Sequence, residues 1–205
     1  MNIFVVRHGE TDWNKEYRLQ GRTQILLNER GREQARQTAA GLKRQGIVFD
    51  SVYASPLLRA VETAEILSGF PRERIKTDER IIEFAFGAAE GTTFDERKGR
   101  AELAGFNAFF DSPENYVAHG GAESIECVLE RTRDFWENEI RKLENEKAQN
   151  VLVATHGGTL QALLMNVDGR SISHFWDAKI PNCTVNLVTL TSGIFKLEYT
   201  AKVFY

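Results

Sequence analysis

Ile3-Phe4-Val5-Val6-Arg7-His8-Gly9 opens the chain with four apolar residues, three of them β-branched, then two basic side chains and a glycine. A short, wholly apolar run that stops at a turn residue has the signature of a strand buried on both faces, the kind found in parallel sheets. The layout returns far along the chain as Val151-Leu152-Val153-Ala154-Thr155-His156-Gly157-Gly158, and Phe49 to Tyr53 and Ile75 to Thr77 are two further short strand candidates. Between these runs the apolar period changes to that of a helix. Asn28-Glu29-Arg30 opens one helix, with Ala35, Ala39 and Leu42 on a single face and a stop near Gly46. Ser55-Pro56 is an N-cap followed by proline at the first helical position, and predicts a helix to about Leu67 with Leu57, Ala60, Val61, Ala64 and Leu67 inward. Ile125, Val128, Leu129, Thr132, Phe135, Trp136, Ile140 and Leu143 place a helix over 123–146, and another covers Thr159 to Val167. Thr184 to Leu190 and Ile194 to Tyr199 flank Thr191-Ser192-Gly193 as a hairpin. Strands alternating with helices predict a three-layer α/β/α sandwich over one domain, 1–205, with a mostly parallel central sheet and an antiparallel edge.

Composition narrows the function. The chain has 205 residues, 42% hydrophobic and 27% charged, enough for one well-buried core. Its 26 Lys and Arg against 29 Asp and Glu leave a net charge of −3, with no basic block to track a nucleic-acid backbone. No apolar stretch approaches the roughly 18 residues of a membrane span, and the opening apolar run is cut off at Arg7, too short for a signal peptide. The expectation is a soluble, cytoplasmic protein that binds neither nucleic acid nor membrane. Cys127 and Cys183 are far apart and are expected to be small buried hydrophobes.

In α/β sheets, ligands collect where the strands end. Arg7 and His8 follow the first strand, Ser55 and Arg59 the second, and His156 and Gly157 the late one. Two histidines and two arginines on one edge, with no thiol, fit an oxyanion with several oxygens, of which phosphate is the common one. Phosphate-monoester hydrolysis needs fixed charge on the phosphoryl oxygens, a nucleophile and an acid for the leaving oxygen. A neutral imidazole supplies the nucleophile. For the acid, the residues alone leave Glu10, Glu83, Glu90 and Glu123 open. A hydrolytic metal site on His8, Asp12 and His156 is a different reading, without the ligand spacing of the usual metal motifs.

Arg7-His8-Gly9-Glu10-Thr11 resembles the signature of the histidine phosphatase superfamily, whose best-known branch is the cofactor-dependent phosphoglycerate mutases. Tyr17-Arg18-Leu19-Gln20-Gly21, Leu27-Asn28-Glu29-Arg30-Gly31, Ser55-Pro56-Leu57-Leu58-Arg59-Ala60, Glu62-Thr63-Ala64, Glu90-Gly91, Glu123-Ser124 and Val151 to Gly158 follow in the family's order, so the likeness spans most of residues 1–165. It implies a phosphoglycerate mutase-like fold with His8 as the phosphorylated nucleophile. It further implies that Arg7, Arg59 and His156 hold the phosphoryl group, and that Glu83 is the acid. Asn14, Gln20, Gly21 and Gly157 fall at phosphate- or substrate-binding positions. No metal and no cofactor is implied; the partner is a small phosphorylated metabolite, and a homodimer is admitted. Gln24, Leu26, Ala89, Ala122 and Thr155 depart from the family's usual residues, which affects the rim of the site and the placement of Glu83 more than the phosphoryl pocket.

Mutases of the family bind a carboxylate with extra cations after the catalytic glutamate. Here an insertion at about 92–121, read as a lid that sets specificity, offers Arg97, Lys98 and Arg100 but no adjacent arginine pair. It offers Phe94, Phe106, Phe109, Phe110 and Tyr116, expected mainly to pack as core or lid. The favoured expectation is a metal-independent phosphomonoesterase working through a phosphohistidine on His8. A phosphoglycerate mutase is the first alternative, and a non-catalytic protein that binds a phosphorylated ligand the second.

Overall fold

The computed structural model describes residues 1–205. Its elements in chain order are β1 (Asn2–Arg7), α1 (Asp12–Lys15), α2 (Glu29–Arg44), β2 (Ser51–Ala54), α3 (Leu58–Ser68), β3 (Lys76–Thr77), α4 (Phe94–Lys98), α5 (Ala108–Asp111), α6 (Ile125–Phe135), α7 (Arg141–Asn145), β4 (Asn150–Thr155), α8 (Gly157–Asp168), β5 (Val185–Thr191) and β6 (Ile194–Lys202). The six strands form one sheet in the order β3-β2-β4-β1-β5-β6. β1, β2, β3 and β4 pair in parallel, whereas β5 lies antiparallel to β1 and β6 antiparallel to β5. The expected parallel sheet with an antiparallel edge is therefore present.

Side chains alternate across each strand, and both sides are covered. Ile3 and Val5 join Val151, Val153, Trp136, Ile140, Leu160 and Leu163 on one side, while Phe4 and Val6 join Leu152, Ala154, Leu42, Val61 and Leu67 on the other. α6, α7 and α8 thus cover one face and α2 and α3 the other, giving three layers. A third core is largely aromatic, with Phe84, Phe86, Phe106, Phe109, Tyr116 and Phe175 packed against Ile125, Val128 and Ala162.

Local chemistry accounts for the element ends. The Asn28 side chain accepts from Gly31 N and caps α2 as its sequence predicts. α6 begins at Ile125 under a Ser124 cap and runs through a π-helical turn at Trp136–Ile140 into α7, so the expected 123–146 helix is three segments. The short α1 had no period to reveal it; a reciprocal capping box between Thr11 and Asn14 forms it. The Ser55 cap is a correction. α3 starts at Leu58 after Leu57, with no side-chain cap; the fully buried Ser55 Oγ accepts from His156 at 2.7 Å and from Leu57 N at 3.3 Å, short of the helix itself. Cys127 is also a correction: it is exposed on α6, whereas Cys183 is buried as expected, and both are free thiols. No helix is long and apolar enough to cross a membrane.

Candidate active site

Parallel pairing sets the strand ends level. Arg7 on β1 aligns with Thr155 on β4, and Ala54 on β2 aligns with Ala154. The next residues are therefore neighbours: His8, Ser55 and His156. The two imidazole centroids lie 5.1 Å apart. Arg59 sits in the first turn of α3 and is fully buried.

Hydrogen bonds fix both rings. His8 Nδ1 is 2.7 Å from the Gly9 carbonyl, an acceptor only, so Nδ1 carries the proton and donates it. The Nε2 lone pair is left over, since the one hydrogen bond of the ring is made through Nδ1. In His156 the roles reverse: Arg59 Nε donates to Nδ1 at 3.2 Å, so the proton resides on Nε2, which donates to Ser55 Oγ at 2.7 Å. The remaining guanidinium nitrogens of Arg59 donate to the carbonyls of Gly21 at 2.6 Å and Thr23 at 2.9 Å. Gly21 thus anchors the arginine through its backbone and lies off the cavity wall, as do Arg59 and His156.

Burial foremost, then the charges of Arg59 and Arg7, holds the His8 pKa well below 6.5. His156 is lowered for the same reasons, burial first and then Arg59. Burial also brings Arg59 down to about 10, which leaves it charged at neutral pH. The consequence for pH has a definite sign. Both imidazoles are held neutral in the fold, whereas the unfolded chain protonates near 6.5, so the unfolded state binds more protons once the pH falls below that value. Stability contributed by the two rings is full above 6.5 and is lost as the pH falls from there toward the lowered values. Urea midpoints measured from pH 7.5 to pH 5 are expected to fall; a flat profile contradicts buried neutral imidazoles.

A cavity of about 470 Å³ opens over His8. Arg7, His8, Asn14, Gln20, Glu83 and Gly157, all singled out by sequence, line it. Arg7 NH1 donates to the Ile180 carbonyl at 2.8 Å, and its Nε is buried without a partner. Gln20 accepts from Thr11 Oγ1 at 2.9 Å through Oε1, and its Nε2 is also buried and unpartnered. Two orphaned donors in a lined cavity carry the desolvation cost of unmade bonds, which an anionic oxygen ligand removes. Asn14 Oδ1 accepts from Thr11 N and from Asn182 Nδ2, which leaves its own amide nitrogen for the cavity.

Of the four acids the sequence left open, only Glu83 lines this cavity. Glu10 is drawn to Asn28 and Arg30 at the start of α2, Glu90 accepts from Thr23 N, and Glu123 pairs with Arg22 and Arg131. The Glu83 carboxylate meets the N-terminus of α8, where unpaired amides concentrate. Oε1 accepts from Phe84 N and Thr159 N at 3.0 and 2.9 Å, and Oε2 from Gly158 N at 3.1 Å, while the Thr159 hydroxyl, 3.1 Å from Oε1, gives its proton to the Ile82 carbonyl at 2.6 Å. A Cβ on Gly158 would stand 2.8 Å from Phe84 and 3.0 Å from Glu83 Oε1, so only glycine allows this approach.

Most other wall residues, Arg18 and Leu19 of the Tyr17–Gly21 motif apart, carried no local sequence signal for the site. Gln161 on α8, and Trp176, Ala178, Lys179, Ile180 and Pro181 from the segment that follows it, line the cavity with Arg18, Leu19 and Phe86. From the aromatic insertion only Phe110 reaches the cavity; Phe106, Phe109 and Tyr116 are core, and Phe94 is exposed. Arg97, Lys98 and Arg100 are not on the wall. Arg97 is buried against Thr92, and Lys98 lies over the Phe94 ring. His8, Asp12 and His156 do not form a metal-binding group with a further acid; no three His, Cys, Asp or Glu side chains converge anywhere in the fold.

The chain is similar to known proteins over most of its length. Over 190 residues the chain is 34% identical to a metal-independent phosphoserine phosphatase of Arabidopsis thaliana, covering 92% of this chain and 76% of that protein. It is 33% identical over 174 residues to a 2,3-bisphosphoglycerate-dependent phosphoglycerate mutase of Parvibaculum lavamentivorans, covering 81% and 79%. Among solved structures, YhfR of Bacillus stearothermophilus superposes with a TM-score of 0.87 at 30% identity, over 98% of this chain and 97% of that one. The profile of the histidine phosphatase superfamily (branch 1) matches residues 3–202, and the chain belongs to that family.

Proposed function

We propose that the protein is a metal-independent phosphomonoesterase in which His8 Nε2 is phosphorylated. The observation that carries the reading is the His8 ring itself: Nδ1 tied to Gly9, neutral by burial, and Nε2 turned free beside two arginines. Nε2 attacks phosphorus, and the P–O bond to the leaving group breaks in line. Arg7 and Arg59 take up negative charge on the phosphoryl oxygens, where preorganised donors are worth most. Glu83 gives the leaving oxygen its proton, carried on Oε2, the oxygen with fewer partners. Water then attacks the phosphohistidine, and Glu83 takes the proton of that water. Phosphate leaves, and His8 returns to its first state.

Hydrolysis is favoured over mutase chemistry because none of the insertion's cations faces the cavity, so segment 92–121 supplies no carboxylate site of the mutase kind. We assign that segment the back wall of the substrate site, reaching it through Phe110. Relatives named as phosphoserine phosphatases support the same choice.

The test is a paired assay in EDTA: p-nitrophenyl phosphate hydrolysis, beside 3-phosphoglycerate interconversion with and without 2,3-bisphosphoglycerate. Hydrolysis without interconversion is expected. Efficient interconversion supports the mutase instead, and phosphate binding without turnover of any ester supports a binding protein.

Arg59→Ala is expected to weaken inorganic phosphate or vanadate binding together with kcat/KM, by about 2–5 kcal/mol for loss of a buried, hydrogen-bonded charge. It also strands His156 Nδ1 and the Gly21 and Thr23 carbonyls, so the melting temperature falls with it. Arg59→Lys, which cannot reproduce the fork, restores little. Unchanged vanadate affinity in Arg59→Ala removes Arg59 from the phosphoryl site.

A further inference from the structure

We infer that Lys179 is a specificity-determining residue that receives a second anionic group of the substrate, so that the preferred phosphomonoesters are short and doubly anionic. The inference rests on the phosphomonoesterase reading above.

Lys179 lies at the exposed mouth of the cavity that His8 and Arg7 line at depth. Its ammonium has no ion-pair or hydrogen-bond partner, and the acid two residues back and the acid of the cavity wall are both engaged elsewhere. Asp177, two residues back, pairs with His174 at 2.8 Å. Glu83, the only acid on the cavity wall, accepts from Phe84 N and from the Gly158 and Thr159 amides at the start of α8. The other rim cation, Arg18, is already bound to Glu16 at 2.8 Å and to Glu96 at 3.3 Å. Lys179 is therefore the one lysine or arginine of the wall, outside the phosphoryl pocket, whose charge is unspent.

Its backbone is also held. The carbonyl before it, Ala178 O, accepts from Gln161 Nε2 at 2.6 Å, and Gln161 Oε1 is in turn held by Arg170 at 3.0 Å. The carbonyl after it, Ile180 O, accepts from Arg7 at 2.8 Å. The lysine thus stands on a peptide clamped on both sides, and one clamp is the arginine of the phosphoryl pocket. Lys179 and the arginine of the phosphoryl pocket thus line one cavity and are joined through the Ile180 carbonyl. Trp176 and Phe110, with ring centroids 5.3 Å apart, wall the space beside it, and the Trp176 indole is fixed by its bond to the Phe109 carbonyl at 2.5 Å. An anion entering there meets an exposed cation, and the pairing has the strength of a surface ion pair.

The shared chemistry is a carboxylate or a second phosphoryl group, and the substrates chosen tell them apart. The ratio of kcat/KM for 3-phosphoglycerate over glycerol 3-phosphate is measured in the wild type, Lys179→Ala and Lys179→Glu, with fructose 1,6-bisphosphate as the two-phosphate arm. Lys179→Ala is expected to lower the ratio by about two- to fivefold through KM, the scale of one exposed ion pair, and Lys179→Glu by more. A fall confined to 3-phosphoglycerate assigns a carboxylate; one confined to the bisphosphate, measured over the same neutral ester, assigns a phosphoryl group. Ratios within twofold of wild type in both variants overturn the inference while leaving hydrolysis intact. If no ester is hydrolysed by the wild type, the phosphomonoesterase reading itself has failed.

Discussion

His8→Ala abolishes turnover and the phosphoenzyme together, with a loss of roughly 10⁴-fold or more in kcat/KM. The size follows from the absence of a substitute. His156 is the only other imidazole in the cluster, but its Nδ1 is taken by Arg59 and its Nε2 proton is given to Ser55, so it has no lone pair to offer phosphorus. The cavity wall contributes no cysteine or serine either. Removing the ring leaves Arg7, Arg59 and the oxyanion pocket in place, so vanadate still binds to the folded variant. A His8→Ala protein that turns over within tenfold of wild type shows that another group is the nucleophile.

Glu83→Gln separates chemistry from binding. The rate of hydrolysis falls roughly 10²- to 10⁴-fold, the span of one general acid–base group, while phosphate and vanadate affinity changes little. The amide keeps an oxygen for Phe84 N and Thr159 N, but its NH₂ then faces the Gly158 N–H, a donor against a donor. That mismatch costs about 1–3 kcal/mol and appears as a lower melting temperature, apart from the catalytic loss. Leaving groups that need no proton, such as p-nitrophenolate, should suffer less than an alkyl alcohol. Equal losses for both esters, or equal losses in binding and rate, show that Glu83 positions α8 rather than moving a proton.

The two histidines were legible because each ends a fully apolar strand, and parallel pairing alone brings such ends together. Arg7 and Arg59 followed from the same rule. Glu83 had no such address: it stands in a segment of 3-10 turns, and its position depends on contact with the first turn of α8, which no local pattern reveals. Ser55 shows the opposite failure. Its sequence matched a helix cap, yet the helix begins three residues later, and the buried hydroxyl accepts from Leu57 N and from His156 at the site. The wall at 176–181 was invisible for a related reason. Trp176 and Lys179 lie in a segment without helical or strand period, fixed by the side chains of Gln161 and Arg7 from distant elements. The helical spacing of the aromatic insertion points to core or lid packing: Phe106, Phe109 and Tyr116 pack inward, Phe94 is exposed, and Phe110 turns to the cavity.

The central claim is that phosphate passes through His8. Rapid mixing of wild-type protein with a ³²P-labelled monoester in EDTA, followed by alkaline quench and peptide mapping, tests it directly. The account predicts an acid-labile, base-stable label on the peptide that contains His8, formed as fast as the first product and absent from His8→Ala. Full turnover with no labelled enzyme, or a label on any other residue, contradicts it.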